Sequence, residues 1–182
     1  MKKLFITRKK NLNKKFTTRG FTLIESALYV GISSIMLLAI SFFLFTLLES
    51  RVKNQTIAEV SQQGIQIMQI LTQTIGNADI INYPLSGTSA EYLSLNTYTA
   101  SNNPTIFDLS GGIIRIKEGI GSNIPLTNSR VNMSNLSFSN LSLENTPGSI
   151  RISFTLNYVN QEGRNEYNFS KNFYASASLR QP

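Results

Sequence analysis

Ser26-Ala27-Leu28-Tyr29-Val30-Gly31-Ile32-Ser33-Ser34-Ile35-Met36-Leu37-Leu38-Ala39-Ile40-Ser41-Phe42-Phe43-Leu44-Phe45-Thr46-Leu47-Leu48 contains no charged residue. About 20 apolar residues in a helix cross a hydrocarbon core of about 30 Å, so this run is long enough to span a bilayer. Gly31, Ser33, Ser34 and Ala39 interrupt its large side chains and suit close contact between helices. Glu49-Ser50-Arg51-Val52-Lys53 is a polar exit. Beyond it Ile57, Val60, Gly64, Met68, Leu71, Ile75 and Ala78 recur three or four positions apart, with Gln, Ser and Thr between them. No proline occurs before Pro84, and Pro84 with Gly87 marks a stop. The pattern predicts one helix from near Phe21 to about Asn82, apolar over 21–48 and amphipathic over 49–82. At 1.5 Å per residue it would be about 90 Å long, too long to be the core of a small globule. Gly64 costs about 1 kcal/mol relative to alanine in a helix interior. It lies on the apolar stripe, so close approach by another element is expected there.

From about Ala90 the period becomes two. Tyr92-Leu93-Ser94-Leu95-Asn96-Thr97-Tyr98 alternates, Ile106-Phe107-Asp108-Leu109 follows, and Gly111-Gly112 opens Ile113-Ile114-Arg115-Ile116-Lys117 as hairpin glycines. Leu136, Phe138, Leu141 and Leu143 bracket Asn140, which predicts a strand with a bulge or bend at that residue. Ile150, Ile152, Phe154, Leu156 and Tyr158 alternate most clearly. The loop Asn160-Gln161-Glu162-Gly163-Arg164-Asn165 returns that strand to a partner containing Tyr167, Phe169, Phe173 and Tyr174. The intervening Ser, Asn and Thr suit the wet face of an antiparallel sheet. The other face is expected to bury Met68, Leu71 and Ile75. The fold class is therefore α+β, a long N-terminal helix packed on an antiparallel β-rich head over 83–182.

The formal charge of +7 invites a nucleic-acid partner, but its distribution removes that reading. Lys2, Lys3, Arg8, Lys9, Lys10, Lys14, Lys15 and Arg19 precede every acidic residue, and the chain after position 20 is nearly neutral. A basic segment beside an apolar span holds its end in the cytoplasm, so no direct nucleic-acid contact is expected. About 130 residues follow the apolar run, enough for one modest domain. The chain has no cysteine and no histidine, so disulfides, thiolate metal sites and the commonest general base are all missing. Asp79, Glu91, Asp108, Glu118, Glu144, Glu162 and Glu166 are dispersed beside turns, without the spacing of a calcium loop. They read as solvated surface charges. No enzyme activity, cofactor or metal is expected. The sequons at Asn132, Asn135, Asn140 and Asn168 follow from an Asn/Ser-rich composition. Tyr92, Tyr98, Tyr158, Tyr167 and Tyr174 suit sheet packing before adhesion.

Arg19-Gly20-Phe21-Thr22-Leu23-Ile24-Glu25-Ser26 joins the basic segment to the apolar run. Glu25 is a lone carboxylate at the edge of a lipid-compatible segment, a costly place that marks functional residues. Gly20 lacks a Cβ and allows the closest approach to its backbone. A secretory signal would be cleaved after its apolar region, whereas here the break in pattern precedes it. The stretch resembles the processing site of type IV prepilins, over roughly residues 15–50.

That resemblance implies cleavage between Gly20 and Phe21 by a prepilin peptidase and N-methylation of the new Phe21 amine. It implies that Lys14, Lys15 and Arg19 hold the scissile bond at the cytoplasmic face, and that 1–20 is a removable leader. It also implies an ion pair between Glu25 and the Phe21 amine of a neighbouring subunit, and a lollipop of helical stem and β-sheet head. Val60–Gln66 and Leu71–Ala78 look most similar to J-type pseudopilins and W-type minor pilins, although Gly76-Asn77-Ala78 lacks the arginine usual there. Major pilins carry a proline about twenty residues into the mature chain, where this sequence has Phe42-Phe43, and K-type tip subunits lack the glutamate that Glu25 matches. The expected partners are the prepilin peptidase, other pilin or pseudopilin subunits and the inner membrane. The expected place is the cytoplasmic membrane, head outside, then a pilus or pseudopilus. The competing reading is a membrane-anchored binding or adhesion domain with an uncleaved anchor.

Overall fold

The computed structural model describes residues 20–144 and 146–180. The chain divides into two units, 1–45 and 46–182, and the helix α1 (Leu23–Gly76) contributes to both. Within the first unit every described residue is exposed, including the large apolar side chains from Phe21 to Phe45. Ser34 Oγ donates to the Val30 carbonyl and Ser41 Oγ to that of Leu37, both at 2.8 Å. Those hydroxyls are thereby satisfied inside the helix and need no water. This helix is long and apolar enough to cross a membrane.

Among its described residues the second unit carries nine strands in two antiparallel sheets, where the sequence pattern suggested one. One sheet has the order β1-β3-β4-β5-β6, from Ala78–Tyr83, Leu93–Thr97, Thr105–Ser110, Ile113–Glu118 and Ile124–Pro125. The other has the order β2-β7-β8-β9, from Ser89–Ala90, Val131–Asn140, Ser149–Tyr158 and Ser170–Ser178. The Met133 amide donates to the Gly112 carbonyl at 2.8 Å and ties the β4–β5 turn to β7. Gly111 and Gly112 both have positive φ, 58° and 78°, which a two-residue hairpin turn joining Ser110 to Ile113 requires.

One apolar core joins α1 to both sheets. Val60, Ile67, Leu71 and Ile75 from the helix meet Leu93, Leu95, Phe107 and Ile114 of the first sheet and Phe138, Ile150, Ile152, Phe154 and Leu156 of the second. Leu71 and Ile75 are fully buried as expected, but Ile67 takes the interior place assigned to Met68, which packs half-buried at the margin. Gly64 is the point of closest approach. A Cβ built there would lie 2.0 Å from Cζ of Phe173, whose ring also stacks on Phe154 at 5.2 Å between centroids. The glycine is therefore required by the strand β9 that crosses it.

Two boundaries differ from the expectation. Helix α1 ends at Gly76, not near Asn82, because Ala78–Tyr83 is recruited as the edge strand β1, pairing Ile81 with Leu95 and Tyr83 with Ser94. The Gly76 carbonyl accepts the Arg180 amide at 3.1 Å, so the segment just after β9 supplies a partner for a helix end. Ala78, on the expected stripe, is buried from a strand instead. The irregularity in β7 lies between Ser134 and Ser137, not at Asn140, and Asn135 there has φ 53°. Asparagine tolerates this left-handed conformation better than other side chains. The shift changes the inward parity: Val131 and Met133 are buried before it, Leu136 and Phe138 after it. Leu141 and Leu143 remain exposed beyond the strand. Asn140 is buried and donates from Nδ2 to the Pro84 carbonyl at 2.7 Å, binding the β1–β2 connection to the end of β7.

Candidate functional site

The predicted site residues fall at the start of α1. Gly20 and Phe21 precede the helix and are exposed, and the Phe21 ring meets Tyr29 edge-on at 5.8 Å. Lys14, Lys15 and Arg19 lie outside the described residues. Thr22 is the residue before the first helical turn. Its Oγ1 accepts the Glu25 amide at 3.3 Å, the arrangement of a helix cap at the third helical position. Threonine followed three residues later by glutamate is the sequence signature of a capping box. That signal is present in Thr22-Leu23-Ile24-Glu25, independent of any chemistry of the carboxylate.

Glu25 is the acidic residue of the first turn of α1, where the positive end of the helix dipole favours a negative charge. Its side chain is exposed, and none of the salt bridges among the described residues involves it. From Ser26 the helix surface is apolar and uncharged up to Glu49. A carboxylate at this edge thus has a helix N-terminus behind it and an unpartnered apolar surface beyond it.

Three glycines separate roles that the sequence could not. A Cβ at Gly64 clashes with Phe173, whereas nothing lies within 4 Å of a Cβ built at Gly20 or Gly31. Gly31 has no positive φ either. Nothing among the described residues therefore requires glycine at 20 or 31.

The head's acids are less free than their dispersed positions suggested. Arg115 binds Asp108 through two hydrogen bonds across the β4–β5 ladder, at 2.9 and 2.5 Å. Glu59 of α1 accepts Asn128 Nδ2 at 2.6 Å and lies 3.7 Å from Arg130. Arg164 is clamped by Glu166, reaches Glu162 at 3.7 Å and sits over the Tyr167 ring. The Glu166 backbone amide and the Arg164 guanidinium hold the Glu166 carboxyl below the usual carboxylate range. Asp108, Glu162 and Glu166 of the head, and Glu59 of the helix, thus have structural partners. Among the described residues no cluster of three or more metal-ligating acids occurs. Tyr83 stacks on Tyr92 at 4.3 Å and Tyr158 on Tyr167 at 5.7 Å, leaving Tyr98 and Tyr174 exposed. Family models, curated proteins and solved structures give no match to the chain.

Proposed function

We propose that this chain is a minor pilin or pseudopilin, a non-enzymatic structural subunit of a type IV pilus, DNA-uptake pilus or type II secretion pseudopilus. In this reading the precursor is inserted with its leader in the cytoplasm and its head outside. A prepilin peptidase cuts between Gly20 and Phe21, the Phe21 amine is methylated, and apolar stems pack together in the filament.

One observation carries the reading: a single carboxylate, Glu25, heads a helix whose next charged residue is Glu49, four residues after Phe21 of a glycine–phenylalanine bond preceded by basic residues. A carboxylate drawn into lipid is costly unless it is neutralised, and the Phe21 amine created by cleavage, four residues before Glu25, would neutralise it in a neighbour. The open surroundings of Gly20 add support. No packing among the described residues demands a glycine there, and a residue without Cβ gives an approaching catalytic group the closest access to the backbone. Gly31, also unconstrained from within, suits close contact between stems.

The second reading, a binding domain on an uncleaved anchor, draws on the Thr22 cap, which gives this tetrapeptide a role in helix initiation without any filament. Intact-mass measurement of the protein from native membranes decides. Loss of residues 1–20 with gain of one methyl group is expected, and an unmodified full-length chain would sink the filament reading.

A further inference from the structure

The last apolar residue of the stem is Leu48, and the head returns to the helix immediately beyond it. Glu49, Ser50 and Lys53 of α1 share a cleft of about 540 Å³ with Gly163, Arg164, Asn165 and Glu166 of the β8–β9 loop. Lys53 is five residues past Leu48, about 8 Å along a helix at 1.5 Å per residue. A bilayer adds about 5–8 Å of headgroup layer beyond its hydrocarbon core on each side. If the apolar run is embedded up to Leu48, the cleft must therefore lie within the headgroup layer.

Its chemistry matches that location. The lining carries two acids, Glu49 and Glu166, and two bases, Lys53 and Arg164, so it suits a zwitterion better than a plain anion. Glu166 is occupied in holding Arg164 through Nε and Nη2. That leaves for a phosphate the Lys53 ammonium and the Arg164 Nη1 group, which Glu162 approaches only to 3.7 Å, and Glu49 for a cationic group. The loop is also held in shape. Asn160 Nδ2 donates to the Arg164 carbonyl at 2.9 Å, and Asn160 Oδ1 accepts the Arg164 amide at 3.2 Å. Gly163 makes the turn at φ 66°, and Tyr167 stacks on Tyr158 beneath Arg164. A preordered loop loses little conformational freedom on binding.

We propose that this cleft docks the head onto the membrane surface by taking a zwitterionic phospholipid headgroup, its phosphate against Lys53 and Arg164 and its primary ammonium against Glu49. This rests on the membrane-spanning part of the function proposed above. It adds a resting state in which the head is seated on the bilayer, and withdrawing the stem into a filament must break that contact.

The chain contains no tryptophan, so a single introduced indole reports its own depth. Asn165→Trp, Phe42→Trp and Ile120→Trp are each placed in the full-length chain and reconstituted in vesicles of phosphatidylethanolamine and phosphatidylglycerol. Ile120 is fully exposed in a turn next to Glu118, which lines a separate cleft with Thr74 and Gly76, more than 20 helix residues from Lys53. Lipid-attached quenchers at graded depths and aqueous iodide read the position. The expected result is a deep indole for Phe42→Trp and one at headgroup depth for Asn165→Trp. Iodide quenching of the latter should be severalfold weaker than that of Ile120→Trp. Glu49→Gln, or vesicles of phosphatidylglycerol alone, should restore iodide access to the indole of Asn165→Trp. A deep Phe42→Trp together with an Asn165→Trp as open to iodide as Ile120→Trp overturns the docking and leaves the span intact. A Phe42→Trp that no lipid quencher reaches overturns the span itself. Shielding that is unchanged in phosphatidylglycerol alone overturns the zwitterion specificity.

Discussion

At the scale of single residues, glycines at 20 and 64 look alike in the sequence and differ in physical cause. Gly64 answers to Phe173. Gly64→Ala puts a methyl group 2.0 Å from the ring, and overpacking of this kind costs about 1–3 kcal/mol. Denaturant unfolding of the head should show that loss, and Phe173→Leu in the same chain should recover part of it. Gly20 answers to nothing among the described residues. Gly20→Leu should leave folding untouched and leave the precursor uncut, as read by pulse-labelling. Normal processing of Gly20→Leu would remove the peptidase reading. Glu166 makes a third residue-level case, with a sign fixed by its lowered pKa. The loop contacts it supports are complete above the ordinary carboxylate range and are lost as pH falls through the depressed value. The near-ultraviolet signal of the Tyr158–Tyr167 stack should therefore persist at neutral pH and fade in strong acid, and Glu166→Gln should weaken it at neutral pH.

Among the elements, α1 over 56–76 behaves as part of the head's core. Val60, Ile67, Leu71 and Ile75 are fully buried, and each such side chain contributes about 2 kcal/mol on burial. A soluble fragment beginning at Arg51 should melt cooperatively, whereas one beginning at Pro84 loses both the helix and the edge strand β1 and should not. A fragment beginning at Ala78 separates the two losses: it keeps every strand, and a cooperative melt from it would show that the helix is dispensable. The existence of these elements was legible because their periods are strong. Ile150–Tyr158 alternates without interruption, and the Gly-Gly turn before Ile113 admits little else. What could not be read depended on partners distant in the chain. The helical period continues to Ala78, and only pairing with β3 ends it at Gly76. The parity of β7 changes at Asn135 because both halves must face one core, while the local pattern pointed to Asn140. The division into two sheets likewise follows from pairing that no single segment encodes. At the candidate site the proposed residues Gly20, Phe21 and Glu25 come from one contiguous motif, and the Thr22 cap is the contact that the structure adds there.

For the whole molecule, the question is whether Glu25 serves folding or assembly, and the Thr22 cap allows the two to be separated. The donor in that cap is the backbone amide of residue 25, so any residue at this position preserves it. Glu25→Leu therefore keeps the helix start and removes only the carboxylate. Membrane insertion should become easier, because an ionised group leaves the edge of an apolar segment. Cleavage between Gly20 and Phe21 should continue, since the scissile bond is unchanged. Recruitment into the filament should fall sharply, because an incoming stem then offers no partner to a neighbouring amine in low dielectric. Glu25→Asp keeps the charge with a reach shorter by one methylene and should be intermediate. The measurement is subunit abundance in sheared filaments relative to the membrane pool, at matched expression. A folding role predicts the opposite order, with less protein in the membrane and an unchanged ratio of filament to membrane. Normal incorporation of Glu25→Leu would mean that apolar stem packing alone recruits the subunit, and the ion-pair mechanism would have to be abandoned for this chain.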